Sequence, residues 1–350
     1  MRFVKVWCIN NYFLIVLLFI FFFHPQFSIG IAGELKRVVV IVTMPVDTCE
    51  AHLKWFIAQL DDLGYKDDIN MNLIIIRANG NRKFAEHELQ KYLKDGKPDV
   101  VATIATLASQ AASNVLKGSD VPIFFFQVSD PVGAGLIEKI GVSTGTNITG
   151  RVFAVPNKIR VNMAMRLVGQ TPTKRPIRFG SIYSTYPSAV GDINELKEIV
   201  QKRSDFILET YQIRYEKVPD GTSQMLEDVK KGIQVLSDKV DFWWQPLGPL
   251  GEINEYTQLL LAHENIPFVM GVTQSSVKQG ALFHITPDIE ASGREAAIFV
   301  DAILKGAKPG EIPVTPPAKF QLGINLTTAL KLNIVVPPDM LELAGDHVYR

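Results

Sequence analysis

The stretch from Asp99 to Gly150, DVVATIATLASQAASNVLKGSDVPIFFFQVSDPVGAGLIEKIGVSTGTNITG, constrains the fold more than any other part of the chain. Val100 to Ile104 is a short β-branched apolar run without polar alternation, as expected of a parallel strand buried on both faces. Thr106 follows as an N-cap, and Leu107-Ala108-Ser109-Gln110-Ala111-Ala112 continues with helix formers, so free backbone N–H groups point out beyond the strand end. Val121 to Val128 is a second such run, and Ser129-Asp130-Pro131 predicts a capped helix over Val132 to Ile140 with Pro in its first turn. Two successive corners of this kind place polar side chains and helix N-termini on one rim of a parallel sheet, where open α/β sheets bind ligands.

The alternation extends in both directions. Upstream, Arg37 to Thr43 reads as a buried strand, Met44 to Cys49 as the loop at its carboxyl end, and Glu50 to Leu63 as a helix closed by Gly64. A strand over Asn72 to Arg77 and a helix over Lys83 to Lys94 complete a first lobe. Past a crossing at Asn147 to Arg151 the plan repeats with strands at Ile177 to Tyr183, Phe206 to Tyr215, Val240 to Trp244, Pro267 to Met270 and Ala281 to Ile285. Helices fall between them at Val190 to Asp205, Ser223 to Leu236 and around Ile253 to Glu264. The fold class is therefore α/β, with two Rossmann-like lobes, each built on a parallel sheet. The rim positions are the candidate ligand contacts. In the first lobe these are Pro45, Asp47, Thr106, Leu107, Ala108, Gln127, Ser129 and Asp130, and in the second Tyr183, Ser184, Gln245, Pro246, Thr273 and Gln274. Thr106 and Asp130 can equally serve as caps of their own helices, and Pro45 and Asp47 as turn formers. Trp243 and Trp244 are adjacent in a strand, so their side chains point to opposite faces and read as core.

Several of these segments resemble a known family. Thr106 to Ala112, Val128 to Leu136 and Asn147 to Gly150 are similar to the substrate-binding proteins of ABC transporters, and more narrowly to the branch that includes tryptophan- and tyrosine-binding proteins on the type I periplasmic-binding fold. Gly293 to Ala297, Ile303 to Pro309, Ile312-Pro313-Val314, Lys319-Phe320 and Ile324 to Ala329 resemble that family's closing segment in the same order and at similar spacing. The resemblance implies a helix Ile289 to Lys305 that returns to the first lobe, and a three-segment hinge. The first lobe is then 35–150 plus 287–312, and the second 151–286 plus 313–350. It also marks a departure. The family usually carries an Asp in the loop after the strand ending here at Trp244, whereas this chain has Gln245-Pro246-Leu247-Gly248-Pro249. That removes a natural partner for a ligand ammonium and suits a less cationic or more apolar solute.

Composition narrows the remaining classes. Lys+Arg 36 against Asp+Glu 36, with no basic block, gives no reason to expect a nucleic-acid partner. Arg2 and Lys5, the apolar run Tyr12 to Phe23 and the small residues Gly30 to Gly33 are ordered as a secretory signal peptide, 1–32, cut after Ala32; an uncleaved anchor is the alternative. No cysteine stands at the cut, as a lipoprotein would require, so a soluble periplasmic protein is expected. Cys49 alone then survives in the mature chain, which excludes an internal disulfide and a CxxC redox motif. Gly141-Val142-Ser143-Thr144-Gly145 matches GxSxG formally, but a nucleophile elbow needs a strand before the serine and a helix after it, and neither is expected here. His52, His87, His263, His284 and His347 show no metal-ligand spacing, and no phosphate-cradling glycine motif is present. The expectation is a non-enzymatic, monomeric binding protein without metal or cofactor. It delivers a small organic, carboxylate-bearing and possibly amino-acid-like solute to an ABC permease. The alternative is a sensory protein whose closed form docks on a membrane receptor kinase or cyclase.

Overall fold

The computed structural model describes residues 35–350; the expected signal peptide and its cleavage site lie outside them. In chain order the first elements are β1 (Lys36–Val42), α1 (Asp47–Asp62), β2 (Met71–Arg77), α2 (Arg82–Asp95), β3 (Val100–Ile104), α3 (Thr106–Leu116), β4 (Ile123–Val128) and β5 (Ile148–Val152). Then come α4 (Asn157–Val168), β6 (Ile177–Ser184), α5 (Pro187–Val200), β7 (Phe206–Ile213), α6 (Thr222–Leu236), β8 (Phe242–Trp244), α7 (Asn254–Leu261), β9 (Phe268–Met270), α8 (Gln274–Gln279) and β10 (Phe283–Pro287). The chain closes with α9 (Ile289–Leu304), β11 (Phe320–Asn325), α10 (Leu326–Lys331), α11 (Pro338–Ala344) and β12 (Val348–Tyr349).

Two sheets result, as expected of the fold class. The first has the order β2-β1-β3-β4-β5 and is parallel throughout. The second has the order β12-β11-β10-β9-β8-β6-β7, with β10 and β11 its antiparallel pair. Strand β3 is buried at all five positions, which explains its unbroken apolar sequence: helices cover both faces. Trp243 and Trp244 are both buried and fall in separate core clusters, one on each face of the second sheet. The chain passes between the sheets after β5, after β10 and before β11, and Val152 N–H donates to the Thr315 carbonyl at 3.1 Å where the first and last of these segments run side by side. Helix α9 packs on α1 beside the first sheet, a crossing that needs Gly293: a Cβ there would stand 2.8 Å from Trp55 Cβ and 2.9 Å from the His52 carbonyl. Among the described residues no helix is long and apolar enough to cross a membrane.

The structure corrects several local expectations. Residues 132–140 form no helix; they run through turns, with Gly135 at φ 71° and the Asp130 carboxylate accepting the Gly133 N–H at 2.7 Å. A left-handed glycine four residues after the Pro ends any helix there, so Asp130 closes a turn instead of capping one. Thr106 is the first residue of α3 and not its cap; Ala105 holds that position at φ 75° without a side-chain bond. Helix α1 begins at Asp47, three residues earlier than its apolar spacing indicates, because acidic Asp47 and Glu50 suit a first turn. Ser184 continues β6, Gln274 opens the short helix α8, and the expected crossing at Asn147–Arg151 is largely the fifth strand of the first sheet.

Candidate functional site

The carboxyl ends of the parallel strands in both sheets face a shared cavity of about 720 Å³. From the first sheet come the start of α1 (Met44 to Cys49), the β3–α3 corner (Ala105, Thr106), the end of β4 (Gln127, Ser129) and the segment after β5 (Phe153 to Val155). The second sheet contributes Tyr186 and Ser188 beyond β6, the loop and 3-10 turn after β8 (Leu247 to Glu255), the β9–α8 loop, and His284 to Pro287 of β10. This is the rim where βα corners converge, and the volume suits a small organic molecule.

The corner at α3 offers backbone donors. Ser109 Oγ fixes it from within, donating to the Ala105 carbonyl at 3.0 Å and lying 2.9 Å from Thr103 Oγ1. The Tyr186 hydroxyl, whose pKa burial pushes well above the usual value, faces the same cavity from the opposing sheet without a hydrogen-bond partner in the protein. At the neighbouring strand end, Gln127 adopts φ 57°, and its Nε2 donates to Thr48 Oγ1 at 2.9 Å. Thr48 in turn donates to the Glu252 carboxylate, so a three-residue chain of hydrogen bonds joins the two walls. Burial, aided by the charge of Asp47, pushes the Glu252 carboxyl up to about 7 against the bond from Thr48. Cys49 is a free, buried thiol whose pKa burial also raises, which makes it inert packing and not a nucleophile.

Seven of the fourteen expected contacts border the cavity: Pro45, Asp47, Thr106, Gln127, Ser129, Thr273 and Gln274. Thr273 spends its hydroxyl on capping α8, accepting the Ser276 N–H at 3.1 Å, and the Gln274 amide reaches His347 at 2.9 Å. The other seven do not border it. Leu107 and Ala108 belong to the body of α3, and Tyr183, Ser184 and Pro246 are buried. Gln245 is wholly buried beneath the loop, donating to Thr257 at 2.9 Å and accepting from Ser276 at 3.2 Å. Asp130 borders a second, smaller depression beside Gly191 and Glu195.

Arg160, Glu252 and His284 border the cavity without having been evident in the sequence. Glu252 supplies a carboxylate only a few residues beyond the loop that lacks the family's Asp. His284 is held neutral, its pKa brought down to about 4 by burial and by His347, and neither ring nitrogen has a protein partner. Among the described residues no group of His, Cys, Asp and Glu is arranged to hold a metal ion.

Comparison with known proteins gives four findings. Residues 37–348 match the family model described as "ABC transporter substrate binding protein". A tyrosine-binding protein from Clostridioides difficile is 30% identical over 296 residues, covering 84% of this chain and 78% of that relative. Among solved structures, a Streptococcus pneumonia ABC domain in complex with L-Trp is 22% identical with a TM-score of 0.72, covering 91% of this chain and 100% of the other. A conserved domain protein from Vibrio cholerae is 23% identical with a TM-score of 0.73 at the same coverages, 91% and 100%.

Proposed function

We infer the function from the premise that this chain belongs to the family of ABC transporter substrate-binding proteins. It is not an enzyme: it holds a small organic solute between two lobes, 35–150 plus 287–312 and 151–286 plus 313–350, and delivers it to an ABC permease from the outer side of the cytoplasmic membrane. It works as a monomer. The solute is carboxylate-bearing and amino-acid-like, and tyrosine and tryptophan are the first candidates because relatives are named for binding the one and solved with the other.

One observation carries this reading: a single cavity is lined from the carboxyl ends of both parallel sheets and bridged by the Gln127, Thr48 and Glu252 chain. A ligand touching both walls favours their closed arrangement by its differential affinity. The Thr48 and Glu252 wall offers a hydrogen-bond acceptor to an ammonium or hydroxyl, the role left open by the missing Asp. The experiment is a thermal-shift screen of L-amino acids, aromatic acids, amines, sugars and polyols. A solute at a hundred times its dissociation constant should add about 2.7 kcal/mol of stability. Amino acids or aromatic acids raising the melting temperature while sugars and polyols leave it unchanged is the expected result; the reverse pattern rejects the ligand class.

A further inference from the structure

Arginine side chains in this protein grip carboxylates in a recurring way. Arg178 places Nε at 3.3 Å and Nη2 at 2.8 Å from the two oxygens of Asp241. Arg203 does the same to Asp205, at 2.8 and 2.6 Å. In both, the side edge of the guanidinium, where the Nε–H and one Nη2–H run parallel, matches the two oxygens of a carboxylate.

Arg160 in α4 departs from this pattern. It is fully buried, and its Nη1 is used up by Asp192 Oδ1 at 2.5 Å and Asn157 Oδ1 at 2.6 Å. Asp192 is itself engaged on both oxygens, accepting also from Asn157 Nδ2 and from the Leu247 N–H, each at 2.9 Å. One face of the guanidinium lies over the Trp244 ring, 5.2 Å from its centroid. The group is therefore clamped on its end and on its face. Its Nε and Nη2, the edge that Arg178 and Arg203 use, have no partner in the protein. Arg160 borders the cavity and is the one Arg or Lys among the described residues that does. A buried, rigid donor edge left unmet is costly to the fold unless something accepts from it.

We propose that the Nε and Nη2 edge of Arg160 is the fork that receives the ligand's carboxylate. The inference rests on the solute-binding reading and adds a named anchor to it. It puts the ligand's carboxylate on α4 and not on the free backbone N–H groups at the start of α3.

The test compares acids with their amides on two proteins. The probes are L-tyrosine, L-tryptophan and para-hydroxyphenylacetate, each beside its primary amide, titrated calorimetrically into wild type and Arg160→Lys. Lysine keeps a cation beside Asp192 but lacks the fork, so the acids should lose roughly ten- to hundred-fold in affinity while the amides change little. Equal affinity of an acid for both proteins overturns the inference and leaves the solute-binding reading standing, as does binding of the amides alone. Absence of binding by every probe rejects the aromatic-acid ligand on which it rests. Should Arg160→Lys fail to fold, wild type labelled with nitrogen-15 arginine decides. One arginine Nε–H resonance should move on adding an acid and not on adding its amide, and no arginine response to any bound acid overturns the inference.

Discussion

The two strand ends at the centre of the first sheet, β3 into Ala105–Thr106 and β4 into Ser129–Asp130, look alike in sequence and are built differently. Each is an apolar run, then a polar residue suited to capping, then residues suited to a helix. At the first a helix forms, held from inside by a buried Ser109 hydroxyl between Thr103 and the Ala105 carbonyl. At the second the strand register shifts between Phe125 and Val128, Gln127 turns left-handed, and Asp130 closes a turn on Gly133. Both still deliver a residue to the cavity. A parallel sheet thus needs only its strand ends aligned to make a binding rim, and the segment leaving each strand can be helix or turn. The difference lies in coupling: the second corner, through Gln127 and Thr48, is tied to Glu252 on the opposite wall.

The most direct way to break the comparison is at the seat of the irregular strand. Gly150 in β5 lies opposite Phe125, and a Cβ there would collide with the Phe125 carbonyl. Because the obstacle is backbone, β5 must move away from β4. Gly150→Ala should therefore cost about 3 kcal/mol in urea denaturation. A loss below 0.5 kcal/mol, roughly the level of a neutral surface change, would show that the irregular corner yields freely.

Coupling across the cavity makes the second corner sensitive to pH. The Glu252 carboxyl is pushed up to about 7 in the folded protein, above its ordinary 4.5, so between those values the folded state holds a proton that the unfolded chain has lost. Its contribution is complete below pH about 4.5 and is lost as pH rises toward 7, by on the order of 2 kcal/mol. His52 and His284 act in the opposite sense. Both are brought down to about 4 by burial, so their contribution is present above 6.5 and lost as pH falls toward 4. Glu252→Gln should remove the first slope and leave the second, seen in melting temperatures measured from pH 4 to pH 8. Identical profiles for the variant and wild type would mean that Glu252 is no more buried than an ordinary surface carboxylate.

How much of the molecule the sequence disclosed depended on the range of the forces involved. Strand β3 and helix α3 were legible because apolar runs and helix formers act over a few neighbours. The helix expected at 132–140 was not, since Asp and Pro serve turns and helix starts equally, and Gly133 and Gly135 decided between them. Within the site, Asp47, Thr106, Gln127 and Ser129 could be named because strand order dictates the rim positions. Tyr183, Ser184 and Gln245 lie away from the cavity because the second sheet continues one residue further or folds the side chain under its own loop. Arg160 and Glu252 had no local signal at all. The first is a helix residue given meaning only by Asp192, Asn157 and Trp244, the second a 3-10 residue reached by Thr48 from 204 positions away.

The smallest effects separate the two corners by their own clamps. Ser109→Ala removes a fully buried hydroxyl and leaves Thr103, also fully buried, without a partner, which should cost about 2 kcal/mol. Asp130→Ala removes one bond to the Gly133 N–H in a half-buried turn that water can reach, and should cost about 1 kcal/mol. Urea denaturation of the two variants side by side should therefore rank Ser109→Ala as the more damaging. The opposite ranking would mean that the turn at Asp130, and not the helix at Thr106, is the more firmly held corner of the cavity.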